Sequence, residues 1–510
     1  MLRFDIHPGR GRRVVFDAAR AYLIGAHDHA LKGKVRERAN SFVCELATAK
    51  AAAVNLECET PEMGRLALST CLLEQRDEPY PLMLELARHR IKQFIAKAED
   101  WQIWDHPAAA DALKGWNGAR EHFTAAMTNA DPEAAEAHAS DALVAGIKAN
   151  ERLALAHAQI LMHRRFGGRA ASARVLGIRL DANTTPARIG KALHGFDMAC
   201  LPLRWATLEP TRGAFDFSSL GPWIQWAQDS GRTLVAGPLI DLTPENLPSW
   251  MDRRRMSVDD LTKAVWDYAK AVGDAIAGHV RMWSIARGLN DGESWPMDLS
   301  QMVELARRAE IGLRAARKEV PTLLEIESPF GHAVAARPHA VMPRTLVDTL
   351  VNEGVRVDCL LLRLLMGDPG PGHLTRDMLE VSSLLDSYIP FRKPTFVELG
   401  VPSSPIHESA GHWRAPWSPK SQAVWASRAF TVAMSKPHVE LVLWSALADP
   451  PAGASAFGLI ANNGVAKPVV EALATAREAL RKPLGPWKAP VPKASTETRE
   501  HSSKKESRKG

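Results

Sequence analysis

Between residues 170 and 480 a short apolar run is followed, eight times over, by a stretch of different character. That alternation constrains the fold of this chain more than any other feature. The runs are Val175–Leu180, Met198–Leu203, Thr233–Leu239, Val280–Ala286, Thr322–Ile326, Val357–Leu364, Pro394–Leu399 and Val439–Ser445. Helical periodicity marks intervening segments such as Leu261–Ile276, Gln301–Arg317 and Gln422–Met434. Unbroken apolar strands separated by amphipathic helices specify a parallel sheet with helices outside it. Eight such units predict an α/β fold, a (β/α)8 TIM barrel with enlarged loops. The competing arrangement is a doubly wound open sheet. It usually needs fewer strands, and no glycine-rich dinucleotide fingerprint follows the first run.

The rest of the chain divides by composition. Residues 1–78 hold short β-like runs, Leu2–Ile6, Arg13–Asp17, Ala21–Ile24, Phe42–Leu46, Ala52–Leu56 and Arg65–Leu73, separated by Pro, Gly and charged clusters. They predict a small antiparallel β domain. Residues 79–168 are rich in Ala, Leu and charge at helical spacing and predict two to four helices, closed by Gly167-Gly168. Residues 169–480 form the barrel, and 481–510 a basic tail.

Charge and cysteines narrow the function classes. The net charge is +6, and residues 481–510 carry nine Lys/Arg against three Asp/Glu, which accounts for all of it. A Ser/Lys/Pro-rich tail of this kind reads as solvated and disordered, so no nucleic-acid partner is expected. Cys44, Cys58, Cys71, Cys200 and Cys359 are odd in number and contain no CxxC pair. They read as buried thiols of a reducing compartment, with no disulfide frame or zinc site. No run of ~18 apolar residues suggests a membrane span. Met1–Pro8 lacks the basic-then-apolar pattern of a signal peptide, so a cytoplasmic location is expected.

In a TIM barrel the chemistry gathers at the carboxyl ends of the strands. Those ends carry Asp181, Arg204-Trp205, Asp241, Arg287 through Asp291, Glu325 and Glu327, Arg363, Glu398 and Trp444. Carboxylates beside tryptophans suit sugar rings, whose CH faces stack on indole while acids handle the glycosidic bond.

At this point residues 170–480 resemble the catalytic domain of glycoside hydrolase family 10, the endo-β-1,4-xylanases. The resemblance rests on Trp205-Ala-Thr-Leu-Glu209-Pro210 through Phe217, on Trp226-Ala227 with the Gly231 turn, and on Pro248-Ser249-Trp250. It continues in Phe396-Val397-Glu398-Leu399-Gly400, then Gln422, Pro437-His438-Val439, Trp444 through Asp449, Gly458-Leu459 and Lys467-Pro468. It implies that Glu398 is the nucleophile of a retaining glycosidase acting on a β-linked glycan or oligosaccharide, with no metal or cofactor.

The departures fall on the chemistry. The family's Trp-Asp-Val-Val-Asn-Glu pattern, which ends in the general acid/base, appears as Trp283-Ser284-Ile285-Ala286-Arg287-Gly288. A glycine cannot donate a proton. Cys200-Leu201 stand where the family has Glu-Asn, although Arg204 keeps a cation; Gly237-Pro238 replace Gly-His, and Arg363-Leu364-Leu365 replace Gln-x-His. Asp291, Glu293 and Glu327 are the candidate replacement acids. Arg204, Trp205, Asp241, Arg287, Asn290 and Trp444 are the expected substrate-binding residues, although Trp205 reads first as structural. Arg287 is expected beside Glu398, where it would lower the Glu398 pKa. His332, His339, His407 and His412 lie on loops without metal-ligand spacing. Trp413 and Trp417 read as stacking platforms or as loop packing. Two functions therefore stand at this stage: a divergent xylanase-like hydrolase, or a catalytically inactive barrel that binds carbohydrate or a protein partner.

Overall fold

The computed structural model describes residues 1–6, 16–38, 41–46, 49–171, 174–181, 184–186, 193–292, 295–319, 321–368, 370, 372–407, 410–450 and 456–485. Glu293, part of the Arg13–Asp17 run and most of the basic tail lie outside them.

The first nine strands are β1 (Leu2–Asp5), β2 (Phe16–Ile24), β3 (Ala30–Leu31), β4 (Gly33–Arg38), β5 (Ser41–Leu46), β6 (Ala51–Thr60), β7 (Gly64–Ser69), β8 (Leu73–Glu74) and β9 (Tyr80–Pro81). They form two sheets, one in the order β4-β5-β1-β9 and one built on β7-β6-β2-β3. The pairings are antiparallel except β1 with β9, which is parallel. Strand β4, Gly33-Lys-Val-Arg-Glu-Arg38, has no counterpart among the predicted runs. It is an exposed edge strand with a single apolar side chain, and charge on such an edge discourages pairing with other chains.

Three helices follow: α1 (Leu82–Asp100), α2 (Ala110–Thr128) and α3 (Pro132–Phe166). The 35-residue α3 starts where its sequence allows. The Asp131 side chain accepts from the Glu133 N–H, Pro132 takes the first turn where no N–H is needed, and His163, Arg164 and Arg165 face the negative end of the helix dipole.

Residues 176–444 close the barrel. Its strands are β10 (Leu176–Arg179), β11 (Met198–Leu201), β12 (Thr233–Ala236), β13 (Met282–Arg287), β14 (Thr322–Ile326), β15 (Cys359–Leu365), β16 (Thr395–Gly400) and β18 (Val439–Trp444). The two-residue β17 (His412–Trp413) lies in the loop between the last two. Each barrel strand pairs in parallel with the next, and β18 returns to β10, so the sheet is a closed barrel and the open-sheet alternative is excluded. Around it lie α4 (Trp205–Leu208), α5 (Gly221–Asp229), α6 (Val258–Ile276), α7 (Leu299–Ala316), α8 (Ala333–Ala336), α9 (Pro343–Asn352), α10 (Met378–Asp386), α11 (Pro419–Ser435) and α12 (Pro468–Leu480). Among the described residues no helix is long and apolar enough to cross a membrane. All five cysteines are free thiols.

The N-terminal elements are stitched to loops of the barrel. Strand β17 adds to the edge of β7, with His412 opposite Arg65 and Trp413 opposite Gly64. A Cβ on Gly64 would lie 2.4 Å from the His412 carbonyl oxygen, so only glycine permits this approach. The Arg376 guanidinium donates to the Tyr22 hydroxyl at 2.7 Å, and Arg90 pairs with Asp377 at 2.7 Å. These contacts tie the N-terminal elements to the loops after β15 and β16.

Candidate active site at the barrel mouth

Inward-facing residues of the barrel form layers because side chains alternate along each strand. One layer is apolar and includes Met198, Cys200, Val235, Leu323, Cys359, Leu361, Phe396, Leu441 and Leu443. Two residues further along their strands, Leu323, Leu361 and Phe396 give way to Glu325, Arg363 and Glu398. The register pairs Arg363 with Glu398 and Leu361 with Glu325. Arg179 of β10 and Ser284 of β13 complete this polar layer.

The polar layer is a closed ion network. Arg179 Nε donates to both carboxylate oxygens of Glu398, each at 3.1 Å, and its Nη2 donates to Glu325 Oε2 at 2.8 Å and also to Glu398. Ser284 Oγ donates to Glu325 Oε1 at 2.8 Å. Arg363 donates through Nη2 to Glu398 Oε1 at 3.2 Å and through Nη1 to Glu327. Glu398 is fully buried. Burial pushes its pKa up, but Arg179 and Arg363 outweigh that and hold it below the usual carboxylate value.

Above this layer the mouth holds a cavity of about 380 Å³, lined by residues that include Asp241, Arg287, Gly288, Trp295, Glu327, Arg337, Arg363 and His373. Glu398 is not among its lining residues; Arg363 is, with Glu398 bonded beneath it. His373 stands between Asp368 (Nδ1 to Oδ1 3.7 Å) and Glu327 (Nε2 to Oε1 3.9 Å), distances of ion pairs rather than hydrogen bonds. Burial alone would lower its pKa; the two carboxylates raise it to about 9, so the imidazole is charged at neutral pH. Burial would raise the Glu327 pKa, but Arg363 and His373 hold it far below the carboxylate range.

Several expectations change here. Arg287 does not stand on Glu398: it pairs with Asp241, whose carboxylate also accepts from the Thr243 hydroxyl at 2.9 Å and from Asn246 at 2.6 Å. Arg179 and Arg363 take the place expected of it. A register shift in β13 between Ser284 and Ala286 accompanies the change. Asp291 is buried and paired with Arg337, so it is an ion-pair partner at the cavity wall. Glu327 faces the cavity but is held ionised, which suits an acceptor and opposes service as an acid. Asn290 is buried and donates to the Glu327 carbonyl at 2.7 Å, fixing the loop beneath the cavity. Arg204 bonds the Glu245 carbonyl at 3.1 Å and is not among the cavity's lining residues.

The tryptophans expected at the rim are packing residues. Trp444 is fully buried, its indole N–H donating to the Phe457 carbonyl at 2.8 Å. Trp205 is buried, stacked on Tyr268 and bonded to Glu209 at 2.6 Å. Trp413 and Trp417 are buried too, and of their two readings the packing one applies. His332 is buried beside Tyr22, and His412 belongs to β17.

Position 288, where the family resemblance expects an acid/base, is a glycine. Gly288 adopts φ +67°, a conformation that favours glycine, and its Cα hydrogen faces the Glu327 Cβ, 3.8 Å from where a side chain would begin. A loop turn, Asp291 N–H to the Gly288 carbonyl at 3.0 Å, follows directly.

Residues 199–361 match the family model described as glycosyl hydrolase family 10. That stretch, about a third of the chain, is similar to glycosyl hydrolase family 10. The match spans β11 to the first residues of β15 and so includes Asp241, Arg287, Gly288, Glu325 and Glu327; Arg179, Arg363, Glu398 and Trp444 lie beyond it. Similar solved structures include xylanase 10B from Thermotoga maritima, at 16% identity over 60% of this chain and 94% of that one, TM-score 0.45. Another is xylanase 10B from Thermotoga petrophila RKU-1 in complex with xylobiose, at 14% identity over 62% and 96%, TM-score 0.46. Xylanase B from Clostridium stercorarium F9 matches at 15% identity over 61% and 98%, TM-score 0.45.

Two residues prominent at this barrel mouth, Arg179 and His373, were not singled out from the sequence. Arg179 lies inside an apolar run, where a lone arginine in an otherwise buried strand was the available signal. His373 follows Pro369-Gly370-Pro371-Gly372, far from any strand end, and only tertiary contact brings it to Glu327.

Proposed function

We propose that the barrel mouth binds carbohydrate, a short β-linked oligosaccharide, without cleaving it by the two-carboxylate retaining route. The observation that carries this reading is the state of Glu398: fully buried, with both oxygens taken by guanidinium groups. A retaining glycosidase needs a free nucleophilic carboxylate and a proton donor ~5–5.5 Å from it. Gly288 offers no proton, and loss of general-acid help removes ~10²–10⁴-fold of rate. The family 10 similarity supports sugar as the ligand. So does a cavity lined by both charged pairs, Asp241 with Arg287 and Glu327 with Arg363, and by apolar Trp295 and Met297.

A second reading keeps hydrolysis, with Glu398 as nucleophile. It is favoured by the charged His373 on the cavity wall, a potential donor separated from Glu398 by Glu327 and the Arg363 guanidinium. It requires both Arg179 and Arg363 to release a Glu398 oxygen when substrate enters.

Calorimetry with xylobiose, xylotriose and cellobiose, run beside turnover of an aryl β-xylobioside, tests both. Such a leaving group needs little protonation, so the assay isolates the nucleophile. Binding without turnover is the expected result. Turnover that disappears in Glu398→Gln establishes the hydrolase. Neither binding nor turnover in folded protein rejects a carbohydrate ligand.

A further inference from the structure

Away from the barrel, the hairpin of α2 and α3 brings three metal-ligating side chains together. His122 comes from α2, and His138 and Asp141, three residues apart on one face of α3, come from the other helix. One ligand atom from each lies within 4.8 Å of the others. The two imidazoles face each other with ring centroids 6.2 Å apart. His138 Nδ1 is buried with no hydrogen-bond partner, although a buried ring nitrogen is usually satisfied. The site has imidazole and carboxylate donors, a rigid frame of two long helices and an unsatisfied nitrogen.

We propose that His122, His138 and Asp141 bind a zinc ion, with water as the fourth ligand. Two imidazoles and one carboxylate suit Zn²⁺ or its first-row neighbours and disfavour Ca²⁺ and Mg²⁺, which take oxygen ligands. Bonds of ~2.0–2.1 Å in a tetrahedron put ligand atoms ~3.4 Å apart, so rotation of the half-buried His122 and His138 and the exposed Asp141 closes the set without moving the helices. The ion clamps α2 to α3. It stands apart from the carbohydrate cavity, so the proposal holds or fails independently of the sugar reading.

The test uses the full chain without an affinity tag, stripped with chelator and titrated with Zn²⁺ against a chromogenic competitor. The wild type is expected to take up one tight equivalent and to unfold at higher temperature with Zn²⁺ present. Loss of that equivalent in His122→Ala/His138→Ala, with unchanged circular dichroism, is the expected companion result. Asp141→Asn is expected to bind at least about tenfold more weakly, while His279→Ala, remote from the hairpin, binds as the wild type does. Replacing Zn²⁺ by Co²⁺ reads the geometry directly through the intense visible absorption of a tetrahedral site, absent in the double variant. A wild type that takes up no zinc, or a double variant that binds as tightly, overturns the proposal.

Discussion

Arg179 Nε lies 3.1 Å from each carboxylate oxygen of Glu398, so one guanidinium spans the acid symmetrically at the centre of the barrel. The family 10 resemblance assigns this acid to nucleophilic attack, yet here it is half of a buried ion pair. The layer is balanced: Arg179 and Arg363 against Glu325 and Glu398. Removing one partner from such a buried set strands the opposite charge, which typically costs ~3–5 kcal/mol. Arg179→Met is therefore expected to destabilise the protein by about that amount, leaving Glu325 and Glu398 with Arg363 as their nearby cation. Glu398→Gln, which keeps an acceptor for one arginine, is expected to cost less. Denaturant midpoints of the two variants decide it; an unchanged midpoint for Arg179→Met would remove the network from the stability of the barrel.

The charged groups at the mouth give stability a defined pH dependence. The folded pKa of His373 is raised to about 9, above the ordinary histidine value. Its contribution is therefore fully present below about pH 6.5 and is lost as pH rises through 9, with an upper bound of about 3 kcal/mol. Glu327 and Glu398 are shifted the other way. Their contribution is present above about pH 4.3, the unfolded value, and is lost as pH falls through their folded values. Unfolding measured from pH 6 to 10 should show a declining alkaline limb that His373→Gln flattens. A limb that survives this substitution assigns the slope to other groups.

The barrel was legible because buried parallel strands leave unbroken apolar runs, and the mouth was legible because a barrel presents strand ends. Asp241, Arg287, Glu327 and Arg363 do meet in one cavity. Pairing was not legible. Which acid faces which arginine depends on strand register, and the irregularity between Ser284 and Ala286 shifts it within one strand. Trp444 shows a second limit: an aromatic side chain at a strand end reads as a stacking platform, but the return of the chain at Phe457 turns its indole into a core bond. The N-terminal elements read as a separate unit because sequence distance hides the β7–β17 pairing.

Gly288 invites reconstruction of the missing acid. A Cβ there meets only the Glu327 Cβ at 3.8 Å, an ordinary contact, so space is not the obstacle. The backbone is: at φ +67° a non-glycine residue costs roughly 1–2 kcal/mol. A new carboxylate would also stand near ionised Glu327. Gly288→Glu is expected to fold with that loss and to leave turnover of the aryl β-xylobioside at background, because Arg179 and Arg363 still hold Glu398. Turnover gained by this single substitution would overturn the reading that Arg179 and Arg363 keep Glu398 from attack.

The coupling between the N-terminal helices and the barrel turns on Glu151, buried on α3. It accepts the Trp413 indole N–H at 2.5 Å and pairs with Arg414 at 2.8 Å, so one helix carboxylate fixes the loop that also supplies β17. Glu151→Ala strands a buried indole N–H and removes the ion pair with the part-exposed Arg414, a loss of about 1–3 kcal/mol, most of it from the indole. Glu151→Gln keeps an acceptor for Trp413 and should lose about half as much. If α3 and the loop act as one unit, protease cleavage within residues 410–418 should become faster in Glu151→Ala at a denaturant concentration where the barrel remains folded. Equal cleavage rates in wild type and variant would place the loop's order in the β7–β17 pairing instead.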